Sequence, residues 1–147
     1  MVMLMFLWAC NAPPFFQEHH ELEDHQWRSS EKQSFVVNMK DTVSQFDFYI
    51  DLRHGEGYPY SNLFLFVELD FPNGKKAVDT LECYLADPMG NWLGTGLGDL
   101  HDNRILYKRK AIFPIPGAYK FHIQQAMRID TLPEIHDIGF VIKESNL

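Results

Sequence analysis

From Ser34 to the end, the chain keeps returning to a period of two, and that alternation restricts what it can fold into more than any other feature. "FDFYIDL" sets Phe46, Phe48, Ile50 and Leu52 on one face against Asp47, Tyr49 and Asp51. "NLFLFVELDF" repeats the pattern with Leu63, Leu65, Val67 and Leu69; Phe64 and Phe66 on its other face suggest a strand covered on both sides at its start. "SFVVNM", "TLECYLA", "RILYKRKAIF", "AYKFHIQQAM" and "IGFVI" continue the series, separated by turn formers such as "HGEGYP", "FPNGKK" and "PIPG". Side chains that alternate in this way build half-buried strands, and no window of helical length carries a capped apolar stripe. The pattern predicts an all-β fold, an antiparallel β-sandwich of seven or eight strands, with a jelly roll as one way to connect them. With 46% hydrophobic residues and 14% aromatics, 147 residues suffice for one such core. In "PGAY", Gly117 is expected to supply a positive φ and the Tyr119 hydroxyl to bond back to the preceding loop.

The opening "MVMLMFLWAC" is too short to span a bilayer as a helix. It resembles the apolar part of an export signal without its basic start, which suggests that the true start lies upstream or was misassigned. Leu7-Trp8-Ala9-Cys10 resembles a lipobox, so residues 1–9 read as a signal-peptide remnant and Cys10 as the lipidated N-terminus, the membrane being reached through that lipid. Prolines and an acidic, histidine-rich run make residues 10–30 a flexible tether, leaving 31–147 as the sandwich. His19, His20 and His25 read as solvated passengers, with no metal site expected, and Phe15 and Phe16 as residues that dip into lipid or dock on the domain.

A net charge of −7 argues against nucleic acid, which needs a concentrated basic face; Lys108-Arg109-Lys110 reads as a solvated strand face. Cys83 shares a face with Leu81 and Leu85 and reads as a buried, inert thiol. There is no Gly-x-Ser-x-Gly, His-Glu-x-x-His or Cys-x-x-Cys, and the glycines of "GNWLGTGLGD" open no helix that could cradle a phosphate. No enzyme activity and no cofactor are therefore expected.

Four stretches, "YPYSNLFLFVELDFPNG", "DTLECYLADPMGNWLGTGLGDL", "FPIPGAYKFHIQQAMR" and "IHDIGFVIK", together resemble the GldH family of gliding-motility lipoproteins of Bacteroidetes, over Phe46 to Lys143. The resemblance implies an envelope lipoprotein of the gliding machinery, working alongside type IX secretion with other gliding-motility envelope proteins as partners. Surface-exposed lipoproteins of that phylum tend to carry acidic residues just after the lipidated cysteine. Here Asn11-Ala12-Pro13-Pro14 occupy those positions, which favours an outer-membrane anchor facing the periplasm.

Trp92, in a glycine-rich connection, and the following "GDLHDNR", with Asp99, His101, Asp102 and Arg104, form the main candidate binding surface, since aromatic and arginine anchors dominate interfaces. Trp92 serves equally well as a plug for one end of the sandwich. Tyr58 and Tyr60 offer a second patch, or a rigid Tyr-Pro-Tyr turn packed on the next strand. A carbohydrate-binding module, with a glycan stacked on these aromatics, is the alternative function. Gln125 falls on the inward face, as a satisfied core amide or as part of a polar pocket with Asp79 and Asp137.

Overall fold

A computed structural model describes residues 12–146. It contains ten strands: β1 (Phe16–Glu21), β2 (Gln26–Arg28), β3 (Gln33–Met39), β4 (Phe46–Gly55), β5 (Asn62–Asp70), β6 (Lys76–Tyr84), β7 (Leu100–Ala111), β8 (Gly117–Gln125), β9 (Thr131–Pro133) and β10 (Ile135–Glu144). Two four-stranded sheets, in the orders β1-β10-β4-β7 and β3-β8-β5-β6, face one another, and β2 pairs with β9 as a small ribbon. When the eight long strands alone are counted, these orders become 1-8-3-6 and 2-7-4-5, all antiparallel, which is the arrangement of a jelly roll. The expected seven or eight strands are thus the eight long ones; β2 and β9, three residues each, are too short to show a period.

Alternation does what the sequence implies. Phe46, Phe48, Ile50 and Leu52 of β4, and Leu63, Leu65 and Val67 of β5, are all buried. The sheets meet through aromatic rings: Phe121 lies 4.4 Å from Phe140 and 5.6 Å from Phe48, and Phe35 lies 5.9 Å from Phe140. The second face of β5 differs from expectation. Phe64 is only half-buried and Phe66 is 44% exposed, since among the described residues no further layer covers the outside of that sheet. β10 is buried from Ile138 to Ile142 without alternation, being flanked by β1 and β4. At Gly139 even a Cβ would run into the His19 ring on β1.

The tether is the main correction. The sequence places residues up to Ser30 outside the fold, whereas β1 forms an edge of the first sheet with Phe16 opposite Ile142, and β2 buries Trp27 completely. Its histidines are contact residues: His19 meets Asp51 at 2.9 Å, His20 meets Gln33 at 2.9 Å and stacks on Phe35, and His25 stacks on His136 at 3.8 Å. Phe15 and Phe16 dock on Phe46 and Phe140. Cys10 lies outside the described residues.

The turn predictions hold. Gly117 has φ +134° and its α-carbon faces Pro72, which a Cβ would strike. The Tyr119 hydroxyl donates to the Ile115 carbonyl at 2.6 Å and accepts from the Ile115 N–H at 3.2 Å, closing the tyrosine corner. Gln125 is a satisfied core amide, donating to the Ile129 carbonyl at 2.9 Å and accepting from the Met127 N–H at 2.8 Å, apart from Asp79 and Asp137.

The two ends of the sandwich differ. β1, β4 and β8 start and β3, β7 and β10 finish at one end, together with residues 12–15 and the short connections 40–45, 71–75 and 112–116. The connections 22–32, 56–61, 85–99 and 126–134 gather at the other end, which we call distal. A ten-residue strand such as β4 separates the two by about 30 Å.

Candidate functional site

The same alternation divides the candidate residues. In β7, Asp102 and Arg104 stand opposite Arg53 and Asp51 and face outward, whereas His101 and Asn103 stand opposite His54 and Leu52 and face the core side. Residues adjacent in "GDLHDNR" therefore belong to two different places, and the structure does not bring them into one cluster.

On the outer face, Arg104 donates to both carboxylate oxygens of Asp51 at 2.7 Å, a bidentate pair of the strongest geometry an exposed arginine can adopt. His19 reaches the same carboxylate, and Arg53 joins Asp102 at 2.6 Å and Asp137 at 3.4 Å. Burial opposes ionisation of Asp51, but the Arg104 and His19 donors outweigh it and hold the carboxyl below its ordinary range. These side chains line a groove of about 590 Å³. Each charge in it is already answered by a neighbour, so the network fastens β1, β4, β7 and β10 together.

At the distal end, Trp92 is half-buried and packs against the core, its ring edge-on to His54 at a centroid distance of 4.5 Å. The plug reading fits it. Tyr58 is 4% exposed and donates to the Asn62 carbonyl at 2.9 Å, while Tyr60 lies T-shaped against Tyr58 and keeps 38% of its surface. Stacking on a sugar needs an exposed ring face, which the buried Tyr58 does not present. His101 meets Glu56 at 2.5 Å, and that ring contact leads the set holding the Glu56 carboxyl low. Asp99 contributes its carbonyl, which accepts from the Glu56 N–H at 2.7 Å.

Three features escape sequence reading. The fully buried His54 donates its Nδ1–H to the Gly55 carbonyl at 3.0 Å, and its Nε2 has no partner among the described residues. Burial pushes this imidazole below its ordinary value, the Gly55 carbonyl opposing and His101 adding to the effect. A folded value below the unfolded one of about 6.5 means that the unfolded chain takes up the extra proton first as pH falls. Stability is therefore lost as pH drops from about 6.5 towards the folded value, by at most about 1.4 kcal/mol per pH unit. His54→Gln is expected to flatten that part of a urea-midpoint profile taken from pH 7.5 to 5; a profile parallel to wild type would contradict the assignment.

Second, Asp51 has no motif that announces it. Third, Leu97 (94% exposed), Met89 (87%) and Leu93 (56%) in the 85–99 connection present apolar side chains to solvent. Their signal was visible: apolar residues spaced among turn formers, in a stretch with no strand period, have no face on which to bury. Among the described residues no group of three or more His, Cys, Asp or Glu side chains is arranged to hold a metal ion. Cys83 is buried, and burial followed by the Glu82 charge pushes its thiol up to about 12, away from nucleophilic use.

A family profile described as GldH lipoprotein matches residues 14–142, which includes the β1 segment. A gliding motility lipoprotein GldH homolog of Christiangramia forsetii is 37% identical over 94% of this chain and 88% of its own. The gliding motility lipoprotein GldH of Flavobacterium johnsoniae is 30% identical over 99% and 94%. Among solved structures, a family GH115 4-O-methyl-α-glucuronidase with specificity for decorated arabinogalactans superposes on 97% of this chain and 19% of its own length, with a TM-score of 0.48 and 10% identity.

Proposed function

This chain belongs to the GldH lipoprotein family, and from that premise we propose that it serves gliding motility as a lipid-anchored, non-catalytic component of the cell envelope. In this reading Cys10 carries the lipid, the domain faces the periplasm from the outer membrane, and the protein holds other envelope components of the gliding machinery alongside type IX secretion. The observation that supports it is the opposition of the two ends. The described chain begins at one, next to Phe46, while the exposed Met89, Leu93 and Leu97 stand at the other, about 30 Å away. A partner reaching out from the membrane plane meets the distal connections first. A non-catalytic role is supported by the pairing of Asp51 with Arg104 and of Glu56 with His101, which commits these groups to one another.

The same connection carries Asp87 and Asp99 as well as these apolar side chains, which suits a partner with an apolar patch and basic flanks. Leu93→Asp combined with Leu97→Asp is expected to abolish colony spreading in the native host while leaving protein level and urea midpoint unchanged, since both side chains are solvent-facing. Undiminished spreading with both charges in place would contradict this surface.

A further inference from the structure

We propose that the end of the sandwich next to the anchor is itself a membrane-contact face, docking on anionic phospholipid through Lys40, Arg109 and Lys110 with Phe15, Val43 and Ile112. The inference rests on the lipid anchor of the proposed reading and adds a second, electrostatic attachment to it.

The net charge of −7 conceals an uneven distribution. Lys108 is engaged with Asp79 at 2.9 Å, tying the edge strands of the two sheets together. Arg109 and Lys110 form no ion pair among the described residues, and neither does Lys40 on the neighbouring connection. Lys110 interrupts the alternation one residue before β7 ends: its φ is +53°, the register against β4 shifts there, and its N–H donates to the Asp47 carboxylate at 2.8 Å. Three acids at this end keep their charge: Asp47 accepts from the Ser145 hydroxyl and the Lys110 N–H, Asp41 accepts from the Val43 and Ser44 N–H groups, and Glu144 has no partner among the described residues. Lys40, Lys75, Arg109, Lys110 and Lys143 outnumber them, and Asp70 is paired with Lys76.

Apolar side chains stand beside these cations without cover. Val43 is 83% exposed, Ile112 50% and Phe15 49%. The Phe15 ring lies on Phe46 at a centroid distance of 5.3 Å, and Phe46 pairs with Ala111, the residue before Ile112. Cys10 is five residues before Phe15, so a lipid on it cannot lie more than about 17 Å along the chain from this face. Basic residues around exposed apolar ones, within reach of an acyl anchor, are what an anionic bilayer surface binds as a second signal. The acidic distal end is repelled by the same surface, so the docking sets orientation: Met89, Leu93 and Leu97 point away from the membrane.

The test uses the full chain with Cys10→Ser, which has no acyl group, and vesicles of one part phosphatidylglycerol to two parts phosphatidylethanolamine against vesicles of phosphatidylcholine. Co-sedimentation is expected to be about tenfold or more stronger on the anionic vesicles, and to be lost in high salt. Arg109→Glu with Lys110→Glu removes the preference; Val43→Ser with Ile112→Ser, at exposed positions that leave folding intact, weakens anionic binding severalfold; Leu97→Ser changes nothing. Equal retention on both vesicle types, or full binding by the charge-reversed chain, overturns the proposal. Labelled palmitate in the wild-type protein reports the anchor separately, so loss of vesicle preference with palmitate present defeats this inference alone, and absence of palmitate defeats the anchor reading.

Discussion

Replacing Trp27 by alanine is expected to cost about 3–5 kcal/mol of stability, the range for removing a fully buried large aromatic from a core. The indole has no exposed surface, and its Nε1–H donates to the Glu31 carbonyl at 3.0 Å. Its backbone pairs with Leu132, so one side chain seats the β2–β9 ribbon against the sandwich. The substitution leaves a cavity and strands the Glu31 carbonyl, and β1 loses the support that follows it in the chain. Urea unfolding checks this: the midpoint falls with little change in slope if the ribbon belongs to the cooperative unit. Were residues up to Ser30 a tether, the midpoint would not move.

A comparable loss, again about 3–5 kcal/mol, is expected for Phe140→Ala. Phe140 is fully buried at the middle of β10, and its ring lies 4.4 Å from Phe121, 5.9 Å from both Phe35 and Phe48, and 6.3 Å from Phe16. It therefore joins both sheets and the edge strand in one contact set. Phe66→Ala is the control. That ring is 44% exposed on the outer face of β5, and its removal is expected to change stability by no more than about 0.5 kcal/mol. The same chemical deletion thus separates a core position from a surface position of opposite strand phase, and equal effects at the two sites would contradict the sandwich packing.

The residues that were legible in the sequence are those whose strands have one wet and one dry face. β4 shows its inward set as Phe46, Phe48, Ile50 and Leu52 without ambiguity, and Tyr119 announces its corner because Pro116 and Gly117 fix the turn before it. β1 was not legible. As an edge strand its inward positions are Phe16, Glu18 and His20, and only one of these is apolar, so a strand held by its ladder to β10 and by polar contacts looks like a solvated linker. Trp27 in a three-residue strand leaves no period to detect. The division of the candidate surface is legible in the same alternation: β7 puts Asp102 and Arg104 on its outer face and His101 on the core side. Proximity along a strand is the wrong measure of proximity in space. Leu97 lies in a turn-rich stretch with no strand period that could bury it, and reading such a stretch for glycine and proline alone misses that signal.

In the proposed arrangement the domain stands with its basic end on the membrane and its 85–99 connection towards partner proteins. A photo-crosslinking side chain placed at Leu97, and separately at Arg109, tests it in living cells of the native host. A protein adduct is expected from position 97 and lipid adducts from position 109. Protein adducts from 109 with none from 97 would contradict it.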